Sequence, residues 1–175
     1  MTPVSPVRRI CLMLNSSREI AVIGLGNTLR RDDGIGIHIL SRLQDELKGK
    51  VAFLNFGIAS FGLINFISEF RKVLLIDAMD AGLKPATMKI FRLDEAETYA
   101  RQKKLSSHEL SLADLLELYK ALGLATDVQV AGIQVKDASY GLEMTPELAK
   151  AKNRIVQNIK EYILSWNKGQ KSGGL

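Results

Sequence analysis

Short apolar runs alternate along the chain with amphipathic stretches. Residues 20–24 read as a buried strand. Residues 33–47 read as a helix, because Ile35, Ile39, Leu43 and Leu47 recur every four positions on one side. Residues 51–55 predict a second strand and 60–70 a short helix. In 72–77 an apolar run stops at Asp77; too short for a helix, it fits a strand covered on both faces, as in parallel sheets. A turn at 81–85 sets off another strand at 87–93. A helix at 107–122, a last strand at 128–135 and a long helix at 145–166, with Pro146 in its first turn, complete the pattern. This alternation predicts an α/β domain of three layers, a mostly parallel, twisted sheet between helices. Residues 1–18 carry Pro3 and Pro6 without periodicity and are expected to form a weakly ordered extension. The domain is then 19–167, and the glycine-rich 168–175 a flexible tail.

Composition narrows the class. With 46% hydrophobic and 25% charged residues among 175, the chain has the make-up of a soluble globular protein. No apolar run approaches the roughly 20 residues that span a bilayer, so no membrane insertion is expected. The apolar patch at 10–14 is too short for a signal-peptide core. The lone Cys11 excludes an internal disulfide and a cysteine zinc cluster, and the cytoplasm is the expected compartment. The net charge of +5 is dispersed. Lys150, Lys152, Arg154 and Lys160 interleave with Glu147 and Glu161, which describes a solvated helix face rather than a nucleic-acid surface.

Candidate chemistry concentrates after the first strand. Gly24-Leu25-Gly26-Asn27 begins like a dinucleotide-binding loop, but Leu29 stands where the third glycine of that fingerprint belongs. Asp32 and Asp33 then occupy the predicted helix start. There they would satisfy the free N–H groups and repel a phosphate, so the loop reads as a metal or substrate site. In open α/β sheets ligands bind beyond the carboxyl ends of the strands. Asp33 follows the first strand and Asp77 closes the apolar one; taken alone, such an acid is usually a turn or capping residue, and the pair shifts the reading toward a site. Asp32 is expected to cap the helix or meet solvent.

His108 is the third element. Ser106 and Glu109 form a capping box that puts His108 in the first helical turn, on the face of Leu112, Leu115, Leu116 and Tyr119. A neutral, inward imidazole there is either a metal ligand or a buried histidine bonded to a carbonyl. His38 falls away from the apolar stripe of its helix and is expected at the surface. The chain has no H-E-x-x-H and no G-x-S-x-G, and Cys11 has no nearby histidine, so zincin-type and nucleophilic catalysis lack support. Two carboxylates and an imidazole suit a divalent ion such as nickel or zinc.

Three separated motifs resemble the hydrogenase maturation protease family: Gly24-x-Gly26-Asn27-x-Leu29-x-x-Asp32-Asp33-Gly34-x-Gly36, Asp77-Ala78, and Ser107-His108-Glu109-Leu110-Ser111-Leu112. Weaker similarity extends through Gly132-Ile133-Gln134 and Met144-Thr145-Pro146, so that the resemblance covers about 19–166. It implies an α/β fold with a five-stranded sheet. It also implies an endopeptidase that removes a C-terminal peptide from the precursor large subunit of a nickel–iron hydrogenase, its partner. Asp33, Asp77 and His108 match the metal-binding positions, the metal being nickel already carried by the substrate; no organic cofactor is implied. One departure stands out: Asn55 occupies a position where family members commonly have an aspartate. If that acid is a general base, this chain uses another group or a metal-activated water; if it orients substrate, the amide can substitute. No catalytic base is assigned. Two other readings remain, a metallohydrolase holding its own zinc and acting on a small amide, and a non-catalytic hydrogenase maturation chaperone.

Overall fold

The computed structural model describes residues 19–58, 62–95 and 112–168. Five strands form one sheet: β1 (Ile20–Leu25), β2 (Ala52–Gly57), β3 (Lys72–Met79), β4 (Met88–Arg92) and β5 (Asp127–Gln134), in the order β2-β1-β3-β5-β4. β1, β2, β3 and β5 run parallel, and β4 is an antiparallel edge on β5. The helices are α1 (Ile35–Glu46), α2 (Gly62–Ile67), α3 (Leu112–Ala121) and α4 (Pro146–Lys168), with 3-10 turns at Arg31–Gly34 and Leu93–Glu95. The three-layer expectation holds. Along β1, Ala21, Ile23 and Leu25 pack toward Leu63 of α2 and Leu115 of α3, while Ile20 and Val22 pack toward Ile39 of α1 and Ile159 of α4. Each parallel strand thus needs apolar residues at consecutive positions, because helices cover both of its faces.

Two boundaries differ from expectation for identifiable reasons. The first helix starts at Ile35 rather than at Asp33, because Asp33 and Gly34 belong to a 3-10 turn and Gly34, at ψ 1°, leaves helical geometry just before Ile35. β3 extends past Asp77, since Ala78 and Met79 still pair with Ile133 and Gln134 of β5. The described part of the third predicted helix is Leu112–Ala121. The extension 1–18 and residues 169–175 of the tail lie outside the described residues. Among those described, no helix is long and apolar enough to cross a membrane.

Topology creates the crevice. The chain leaves β1 for β2 on one side and returns to β3 on the other. The order therefore reverses at the β1/β3 boundary, where the crossovers diverge and leave an opening beyond the carboxyl ends.

Candidate active site at the carboxyl edge of the sheet

The β1–α1 connection fits against the ends of β1 and β3 only because it lacks side chains at two points. A Cβ on Gly36 would lie 2.3 Å from both the Leu25 and the Ile76 carbonyl oxygens; one on Gly26, at φ 130°, would lie 2.0 Å from the Asp33 carbonyl oxygen. The glycines that resemble a phosphate loop therefore serve backbone-on-backbone packing. They press the turn bearing Asp33 against the strand bearing Asp77.

Both acids are buried, Asp33 at 5% and Asp77 at 1% exposure. Asp33 Oδ2 accepts the Asn27 N–H at 2.9 Å, and Asp77 Oδ1 accepts the Ala78 N–H at 2.8 Å. These short-range bonds help fix the orientation of each carboxylate. By strand alternation Asp77 shares the face of Leu75 and Met79, the face on which α3 packs. His108, which precedes α3 in sequence, lies outside the described residues, as does its capping box. No group of three His, Cys, Asp or Glu side chains able to hold a metal occurs among the described residues.

Asp32 departs from its expected role. It is fully buried, and neither the 3-10 turn nor α1 has a side-chain cap. Its carboxylate instead gathers the loop after β5. Oδ2 accepts the N–H groups of Lys136 and Asp137, both at 3.0 Å, and the Thr145 hydroxyl at 2.9 Å; Oδ1 accepts the Thr145 N–H at 2.7 Å. Backbone bonds from Arg31 N–H to the Gly141 carbonyl and from Gly141 N–H to the Leu29 carbonyl extend the seam. Asp137 is held below the ordinary carboxylate value chiefly by the Ser139 N–H, then by the Ser139 hydroxyl. Thr145 beside Pro146 reads in sequence as a helix start, and nothing local reports a partner 113 residues away.

Gln134 is a second organiser that sequence reasoning missed. Buried at the end of β5, it accepts the Ala81 and Leu83 N–H groups and donates to Asp80 and to the Val135 carbonyl, fixing the turn after β3. Asn55 is exposed near the carboxyl end of β2, in register with Gly24. His38 is partly buried rather than free at the surface. Burial, then the neighbouring Lys152 of α4, lowers its pKa.

A family model described as "Hydrogenase maturation protease" matches residues 37–162. The chain belongs to the hydrogenase maturation protease family. Among its relatives, the hydrogenase expression/formation protein HupD of Thiocapsa roseopersicina is 28% identical over 154 residues, covering 86% of this chain and 70% of that protein. A putative hydrogenase maturation protease of Methanocaldococcus jannaschii is 29% identical over 150 residues, 81% of this chain and 94% of the relative. The match to HupD of Rhizobium leguminosarum is 32% identical but spans only 53% of that protein. The hydrogenase maturating endopeptidase HybD from E. coli superposes with a TM-score of 0.70 at 26% identity, covering 81% of this chain and 89% of HybD. Within this family of endopeptidases the glycine and aspartate motif of the β1–α1 connection has a structural reading of its own. Gly26 and Gly36 allow the close approach, Asp32 binds the neighbouring loop, and Asp33 is buried with its carboxylate bonded to the Asn27 N–H.

Proposed function

We propose that this protein is an endopeptidase that removes a C-terminal peptide from the nickel-loaded precursor of a nickel–iron hydrogenase large subunit. Asp33, Asp77 and His108 take the substrate's nickel as ligands. The observation that carries this reading is the pair of buried, backbone-oriented carboxylates at the β1/β3 crevice of a chain from this family. Two carboxylate donors and an imidazole suit a divalent transition ion. A carboxylate already bonded to one N–H is held in orientation, as ligating carboxylates generally are.

The nickel belongs to the substrate in this account. Its capture positions the tail, water adds to the scissile carbonyl, and the C–N bond breaks with the proton passing to the leaving amine. Binding an ion that only a loaded precursor presents makes cleavage conditional on nickel insertion. Incubation with nickel-loaded and nickel-free precursor, followed by mass measurement of its C-terminus, tests the reading. Peptide release from the loaded form alone is expected. Binding without release would favour a maturation chaperone, and stoichiometric zinc surviving dialysis against chelator would favour a small-amide metallohydrolase.

A further inference from the structure

Five large apolar side chains are exposed among the described residues: Leu29, Ile58, Leu122, Tyr140 and Leu142. Four follow the carboxyl ends of parallel strands. Leu29 lies after β1, Ile58 directly after β2, and Tyr140 and Leu142 after β5; only Leu122, between α3 and β5, lies at the opposite edge. Tyr140 and Leu142 are 81% and 75% exposed, yet their loop is not loosely attached. Gly141 between them is bonded to Leu29 and Arg31 on both sides, and Asp32 anchors both ends of the loop through Lys136 and Thr145. The apolar surface and the turn bearing Asp33 therefore form one unit.

Arg30 supplies the polar part. Its guanidinium lies 5.4 Å from the Tyr140 ring centroid, and its Nε donates to the Ala138 carbonyl at 2.9 Å. No carboxylate among the described residues forms an ion pair with it. Tyrosine and arginine are enriched at protein-binding hot spots, and the two exposed leucines add apolar area beside them. Exposed apolar side chains gathered on one edge mark an interaction site, whereas scattered ones do not.

We infer that Leu29, Arg30, Tyr140 and Leu142 form the docking surface for the folded body of the precursor large subunit, which presents an apolar face with a carboxylate opposite Arg30. This rests on the proposed protease reading. The occupant follows from position and charge: the surface is continuous with the Asp33 turn, so a precursor whose tail enters there meets it, and the unneutralised guanidinium selects an acidic neighbour. Docking there holds the precursor while its tail reaches the crevice.

The test uses immobilised nickel-loaded precursor and four proteins: wild type, Arg30→Glu, the double variant Tyr140→Ser/Leu142→Ser, and Leu122→Ser. Binding is read by biolayer interferometry, cleavage of the same precursor by mass, and folding by thermal unfolding. Arg30→Glu and the double variant should each weaken binding and raise KM by at least about tenfold, with kcat near wild type. Leu122→Ser should change neither. Leu29→Ser replaces the double variant if that one fails to fold. If wild type cuts the precursor and these variants bind and cut equally well, the docking surface is overturned while the protease reading stands. If wild type neither binds nor cuts, the protease reading falls and the docking surface with it.

Discussion

The two edges of the sheet are held by different means. At the amino edge most contacts are neutral or exposed; the exceptions are Lys72, which donates to the Trp166 carbonyl at 3.2 Å in a half-buried contact, and one Asp127 carboxylate oxygen that is buried without a hydrogen-bond partner among the described residues. The Thr126 hydroxyl donates to the Phe70 carbonyl at 2.9 Å, Tyr119 donates to the Thr126 carbonyl, and Arg71 meets Glu19 at 3.4 Å in solvent. At the carboxyl edge three aspartates are buried, Arg31 is left-handed, and apolar side chains face water. Burying carboxylates is costly, and the carboxyl edge buries three of them. Asp32 repays its own burial with four bonds. Asp33 and Asp77 lie at the topological switch point, where open α/β sheets bind their ligands. The amino edge supports the fold; the carboxyl edge carries the proposed site.

Substitutions at the two edges should separate these roles. The largest effect is expected for Asp32→Asn. An amide cannot accept at both oxygens, so at least one buried donor loses its partner. Stability should fall by about 2–4 kcal/mol, and amide protection should be lost first across 136–145. Stability near wild type would mean that the Asp32 seam is not what holds the loop. Thr126→Val at the amino edge removes a hydroxyl at nearly constant shape and should cost about 1 kcal/mol in chemical denaturation. Cleavage by the folded variant should be unchanged; a loss of activity there would erase the division between edges.

The smallest effect concerns His38. Its folded pKa lies below the ordinary 6.5, so the unfolded chain binds the proton more readily. The associated stability is present above about pH 6.5 and is lost as pH falls below that value. His38→Gln should flatten this acid-side loss, read as denaturant midpoints at about pH 5 and about pH 7.5. An unchanged slope would assign the acid sensitivity to other groups.

Much of this organisation is legible in the sequence. The apolar runs give five strands and the alternation of layers, because strands buried on both faces and helices with one apolar stripe have distinct periods. Asp33 and Asp77 stand out in the sequence because one opens the predicted helix after the first strand and the other ends an apolar run. The Asp32 seam does not. Its partners are backbone N–H groups at 136, 137 and 145, and a backbone donor leaves no trace in residue identity. The true start of α1 is hidden because a 3-10 turn over Arg31–Gly34 has no residue signature that sets it apart from a first helical turn. Tyr140 and Leu142 read as loop residues, and only the folded chain brings them beside Leu29.

The central claim is that the buried acids of the crevice engage the nickel of the substrate. Asp33→Asn keeps the size and the Asn27 bond but removes the negative charge, and a neutral amide is a poorer ligand for a divalent ion. Its stability should stay within about 1 kcal/mol of wild type. The decisive measurement is the mass of the nickel-loaded precursor's C-terminus after incubation with folded Asp33→Asn, beside wild type. An uncut precursor with Asp33→Asn and a shortened one with wild type is the predicted result. Equal shortening by both would contradict the role given to Asp33.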